Sequence, residues 1–177
     1  MAMRIVPGLD RVVIDRAQEV MAHDTAFKLI MYYEAKNKHA TQYNRALNYH
    51  EMITEKAEGY GAQIAVANHF GDYAYKPKLN PEMTEADVGT NIEVKYTHHT
   101  NGHLIIQDRY KHPDRLKDVA ILVIGKSPVY YLVGWIPVNM AMQPRYKVSW
   151  DNNYWVPQAN LFEMKYLKRS EYGDSTL

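Results

Sequence analysis

The sequence predicts an α+β fold with N-terminal helices packed on one β-sheet, and three observations carry that expectation. Apolar residues recur at three-to-four spacing through the first third, the apolar period falls to two beyond Ala86, and helices precede strands without alternating with them. At 177 residues the chain is long enough for one domain with a substantial core. Within it, residues 1–56 read as a helical region, 57–161 as the core that carries the chemistry, and 162–177 as a tail.

Each element has its own signal. From Asp10 to Phe70 the pattern is helical: Val12, Val13, Ala17, Val20 and Met21, then Phe27, Ile30 and Met31, then Ile53, Ala57, Tyr60, Ile64 and Ala67. Polar residues from Asn37 to Asn48 interrupt it, and Gly71-Asp72 ends the last helix. Lys76 to Pro81 is a loop, because Pro77 and Pro81 have no N–H to give to a ladder. Strands follow at Asn91–Thr97 and His103–Gln107, separated by a turn at Thr100-Asn101-Gly102. Val119–Ile124 is a continuous apolar run, the pattern of a strand covered on both faces. Gly125-Lys126-Ser127-Pro128 turns the chain into a further strand, Val129–Ile136, giving a hairpin. A short helical piece after Pro137 and a last strand or turn over Trp155–Leu161 complete the sheet.

Composition removes several function classes. With no cysteine there are no disulfides, thiolate nucleophiles or cysteine zinc sites, which fits a cytoplasmic protein. The N-terminus lacks the apolar core of a signal peptide, and no stretch approaches the ~20 apolar residues of a membrane span, so no membrane partner is expected. Lys plus Arg, 21, nearly cancels Asp plus Glu, 20, so any polyanion must be met by a local patch.

The segment from Asp87 to Lys95 concentrates the chemistry. In an extended strand Glu93 and Lys95 share one side while Ile92 and Val94 anchor the other. Asp87 has the same parity, yet a straight strand at about 3.3 Å per residue would leave it roughly 20 Å from Glu93. A bend at Gly89 or Asn91, both tolerant of positive φ, would set the two acids across from each other at about 5 Å. Two carboxylates suit a hard divalent ion, Mg2+ or Mn2+, with the Val94 carbonyl as a further oxygen ligand. Phosphodiester hydrolysis uses such an ion for charge stabilisation and water activation, and Lys95, held charged by its acids, suits electrostatic and positioning work.

Asp87, with Glu93-Val94-Lys95, resembles the active-site motif of the PD-(D/E)XK nuclease superfamily. Together with the strands His-Leu-Ile-Ile-Gln-Asp-Arg, Val-Ala-Ile-Leu-Val-Ile-Gly, Tyr-Leu-Val-Gly-Trp-Ile and Tyr-Trp-Val-Pro-Gln, it is similar to small phage-associated nucleases over roughly Ala57 to Leu161. The resemblance implies a restriction-endonuclease-like core with a central mixed β-sheet. It also implies a divalent-metal-dependent nuclease acting on nucleic acid, DNA before RNA, with a homodimer left open. In such relatives the preceding helix carries a glutamate within Gly-X-Glu-X-Ala-Val-Ala. Here Gly61-Ala62-Gln63-Ile64-Ala65-Val66-Ala67 puts Gln63 there, removing one charge, and Ala86 stands where a proline is usual. Glu58 lies about 140° further round the helix and is no simple substitute.

Other readings compete. Arg109, Lys111 and Arg115, with His112 and Lys117, follow the second strand and could contact phosphates or form a solvated loop. His98, His99 and His103 could instead hold a transition metal. Trp135, Trp150, Trp155 and Tyr130-Tyr131 could stack on bases, but aromatic side chains in a sheet more often build core, and none is assigned to binding from the sequence. A different class of function is a non-catalytic nucleic-acid-binding or phage structural protein, which the glutamine at 63 favours and the retained Glu93 and Lys95 oppose.

Overall fold

Three layers place the polar segment at a sheet edge. A computed structural model describes residues 8–36 and 46–168, apart from the side chain of Arg109. In chain order the elements are β1 (Asp10–Val13), α1 (Arg16–Ala35), α2 (Tyr49–His69), β2 (Ile92–Thr97), β3 (Leu104–Gln107), β4 (Val119–Lys126), β5 (Val129–Pro137), α3 (Val138–Ala141) and β6 (Asn153–Val156), with single 3-10 turns between the later ones. The main sheet has the order β1-β5-β4-β2, antiparallel except for the parallel pair of β2 and β4, so it is mixed. β3 and β6 form a separate antiparallel pair. The fold is α+β, as expected.

Both long helices start at capping boxes. Asp15 accepts from the Gln18 N–H and Asn48 from the Glu51 N–H, while Gln18 and Glu51 reach back to the cap backbone, satisfying N–H groups that a helix start leaves open. Asp15 also marks a correction. The expected helix from Asp10 begins only at Arg16, and Val12 and Val13 instead pair with Tyr130 and Val129 in β1. Short β-branched residues fit either period, and the ladder offered by β5 decides between them. Most of the expected break from Asn37 to Asn48 lies outside the described residues.

Alternation along β4 separates two cores. Val119, Ile121 and Val123 pack with Ala62, Val66 and Ile30 of the helices, whereas Ala120, Leu122 and Ile124 face Leu104, Ile106 and Tyr154 of the small sheet. Such a strand, covered on both faces, accounts for its uninterrupted apolar run. The last strand or turn expected at Trp155–Leu161 resolves into a strand that lies earlier, at Asn153–Val156, and a 3-10 turn at Gln158–Asn160; the strand pairs with β3 and not with the main sheet, whose face it covers through Tyr154 and Val156. Pro157, which cannot donate to a ladder, ends it. Residues 162–168 are no loose tail: Phe162 bridges Trp135, and Met164 and Leu167 are buried in the helix-side core. Among the described residues no helix is long and apolar enough to cross a membrane.

Candidate functional site

Because β2 closes one end of the main sheet, its outer edge is available to other groups. Before it, Gly89 turns with φ 61°, and Val88 and Ile92 exchange backbone hydrogen bonds of 3.0 and 3.1 Å. Asp87 is thereby folded back beside Glu93. Gly89 alone supplies the left-handed conformation; Asn91, the other residue expected to bend, does not have positive φ. The Val94 N–H, turned away from β4, donates to Asp87 Oδ2 at 2.8 Å. In an extended strand the carbonyl of a residue points the way its N–H does, so the Val94 oxygen also lies on this edge.

The two faces of β2 bring different partners. From the helix side, Gln63 Nε2 donates to Asp87 Oδ1 at 2.9 Å, and the Tyr75 hydroxyl lies within hydrogen-bonding distance of Gln63 Oε1 (3.2 Å) and the Asp87 carbonyl (2.7 Å). From the small-sheet side, Glu93 is 4 % exposed and accepts from three donors. Lys95 Nζ at 2.6 Å and the Tyr110 hydroxyl reach Oε1, and Arg115 reaches Oε2 at 2.7 Å. Gln63, Asp87, Glu93 and Lys95 are thus brought together around β2. Glu58 faces away, accepting from the Ser127 N–H and the Tyr130 hydroxyl at 2.9 Å each.

The expected phosphate-binding cluster divides. Arg115 does not face solvent: its side chain is 11 % exposed and spans Glu93, Asp118 Oδ2 at 2.6 Å, and the carbonyls of Met83 and Glu85 at 3.1 Å. Buried carboxylates on two sides attract the guanidinium more than water does, which corrects its assignment to nucleic-acid contact. Lys111 is exposed and paired with Asp108 at 2.7 Å. The side chain of Arg109 lies outside the described residues. Among the described residues no three His, Cys, Asp or Glu side chains gather as a metal set, so His98, His99 and His103 form no such cluster.

Tyr75, Tyr110 and Asp118 complete the network without having been named from sequence. Tyr110 had a usable signal, an aromatic residue inside the basic stretch Arg109-Tyr110-Lys111. Its ring lies 4.6 Å from Lys95 Nζ and 5.0 Å from the Arg115 guanidinium carbon, so it packs beneath both cations.

Electrostatics divide the two acids. Burial, reinforced by the nearby charge of Glu93, pushes the Asp87 carboxyl up to about 8 despite Lys95, the Val94 N–H and Arg115. Burial would raise Glu93 as well, but Lys95, Tyr110 and Arg115 outweigh it and hold Glu93 below the usual range. Burial disfavours the Lys95 ammonium, yet Glu93 more than restores it and keeps its pKa raised. Lys95 is therefore a fixed positive charge and not a base at neutral pH.

The oxygen set fits a hard divalent ion. Each carboxylate has about four lone-pair sites, and the donors present fill only some of them on Asp87 and Glu93. Magnesium is commonly held by one or two carboxylates with waters retained, so Asp87, Glu93 and the Val94 carbonyl suffice in kind. Asp87, half-buried with no cation bonded to it, is the carboxyl that would gain most from one. These groups line a cleft of about 670 Å³ between the helices and the small sheet, together with Lys56, Lys78, His98 and His103. No protein-family model, curated protein or solved structure matches the chain.

Proposed function

We propose that this cleft binds nucleic acid, with DNA as the expected substrate, and hydrolyses phosphodiester bonds with Mg2+ or Mn2+ held by Asp87, Glu93 and the Val94 carbonyl in a restriction-endonuclease-like core. The observation that carries the reading is the meeting of Gln63, Asp87, Glu93 and Lys95 around the free edge of one strand. When bound, the ion supplies charge compensation and water activation. Lys95 offers an ammonium for phosphoryl charge, aided by its burial. Tyr110 and Arg115 fix the rotamer of Glu93, and Gln63 with the Val94 N–H fixes Asp87. The Gln63 carboxamide orients through hydrogen bonds but contributes no charge, so the ion is held by fewer acids than in the relatives the motif resembles.

A second reading has its own observation. Glu93 is already neutralised by Lys95 and Arg115, an arrangement stable without any ion, which suits a nucleic-acid-binding or phage structural protein that kept the fold and lost the chemistry. The test is incubation of plasmid, linear and single-stranded DNA with magnesium or manganese, for the wild type, Glu93→Ala and Lys95→Ala. Metal-stimulated cleavage lost in both variants supports hydrolysis at this site, and cleavage surviving both removes it. Salt-sensitive binding without cleavage favours the second reading.

A further inference from the structure

We propose that an aromatic shelf formed by the exposed Trp150 and the half-buried Trp155 receives an unpaired base of a nucleic-acid strand whose backbone runs into the cleft, a reading that rests on the nucleic-acid assignment above. Trp150 is 72 % exposed, an unusual position for the largest side chain, and meets Trp155 edge-on at a centroid distance of 6.0 Å and 72°. In that arrangement Trp155 covers at most one face of Trp150, and at this exposure the other remains able to stack. Trp155 pairs with Ile105 in register, and both line the cleft that holds Glu93 and Lys95. A second hollow of about 530 Å³ lies against the shelf and shares Trp155 and His103 with that cleft, so the two adjoin at those side chains.

Charge selects the occupant. The lining of the second hollow contains Arg145 and His103 and no carboxylate, in contrast to the acid-bearing cleft beside it. An aromatic surface with one guanidinium and no carboxylate, beside a candidate phosphodiester site, matches a strand with stacking bases and a charged backbone, because every base has a π-face and every linkage a phosphate. A paired base in a duplex is stacked on its neighbours and offers no free face, so the shelf fits unpaired nucleotides: a single strand, an overhang or a frayed end. The rim is built for this. Gln158 Nε2 donates to the carbonyls of Thr100 at 2.9 Å and Gly102 at 3.0 Å, pinning the turn that carries His103, whose ring lies 5.8 Å from Trp155. Arg145 lies over the Tyr146 ring at 4.6 Å, holding a cation beside the hollow.

The test is titration of the full chain in EDTA, at one ionic strength, with a short oligothymidine, an oligouridine and a blunt duplex of equal length, for wild type, Trp150→Ala and Trp150→Phe. Both single strands are expected to quench tryptophan fluorescence in the wild type. Trp150→Ala should weaken their binding about tenfold and lose most of the quenching, with duplex binding changed less than about twofold and Trp150→Phe retaining most of the affinity. Equal loss with the two oligomers marks the base as the recognised group, and loss with one alone assigns the shelf to that polymer. Unchanged single-strand affinity in Trp150→Ala overturns the shelf, as does an equal loss of duplex binding. The two readings separate: duplex cleavage with no effect of Trp150→Ala removes the shelf and leaves the hydrolytic site. The expected binding losses without metal-stimulated cleavage remove the hydrolytic site and leave the shelf. No binding to any nucleic acid removes both.

Discussion

Asp87, half-buried, and Glu93, buried, stand at facing positions of one turn, and their protons behave in opposite ways. Asp87 is met by a neutral amide and a backbone N–H, and burial with the charge of Glu93 carries it up to about 8. Glu93 is met by an ammonium, a phenol and a guanidinium, and remains ionised. The difference shows that burial alone does not set the state of a carboxyl; the charge of its partners does. It also divides the proposed labour, with Glu93 as the standing charge and Asp87 as the acid that yields its proton when a cation arrives.

Removing each acid in turn should break the symmetry most visibly. Glu93→Ala strands Lys95 and Arg115 without their shared acid, an expected loss of about 3–5 kcal/mol in denaturant unfolding. Asp87→Ala at mildly acidic pH removes hydrogen bonds to a neutral carboxyl, with an expected loss of about 1–2 kcal/mol. Equal losses would contradict the contrast.

Acidity gives the next effect. A folded pKa raised above the unfolded value means that the native state binds more protons, so this contribution is complete below about pH 3.9 and is lost as pH rises through about 8. Metal-free stability should therefore decline between those limits, by at most about 1.4 kcal/mol per pH unit from this group, and Asp87→Asn should flatten the profile. Manganese affinity should rise through neutrality by up to about tenfold per unit and level off near pH 8, since binding competes with that proton. Gln63→Glu adds a third acid beside Asp87 and should lower the half-saturating manganese concentration by about tenfold, while reducing metal-free stability by about 1 kcal/mol. Smallest is Lys111→Ala, an exposed pair with Asp108: stability should change by less than about 1 kcal/mol, and a phosphate contact would show as a salt slope of binding reduced by about 1.

The turn at Gly89 and the shared face of Glu93 and Lys95 were legible in the sequence because parity is local, whereas the place of Gln63 followed only from the motif the chain resembles. The run Val119–Ile124 likewise declared a strand covered on both faces. What escaped depends on distant pairing. Val12 and Val13 become a strand only because β5 is beside them. Arg115 reads as a surface cation until Glu93 and Asp118 close around it, and Tyr75 and Tyr110 reach the site from segments with no periodic signal.

Manganese-stimulated cleavage of plasmid DNA, followed against pH for wild type and Asp87→Asn, tests the central claim most directly. A wild-type rate that climbs through neutrality and flattens near pH 8, with Asp87→Asn inactive throughout, is the expected result. Cleavage by Asp87→Asn at the wild-type rate, or no metal-stimulated cleavage by the wild type at any pH, would contradict it.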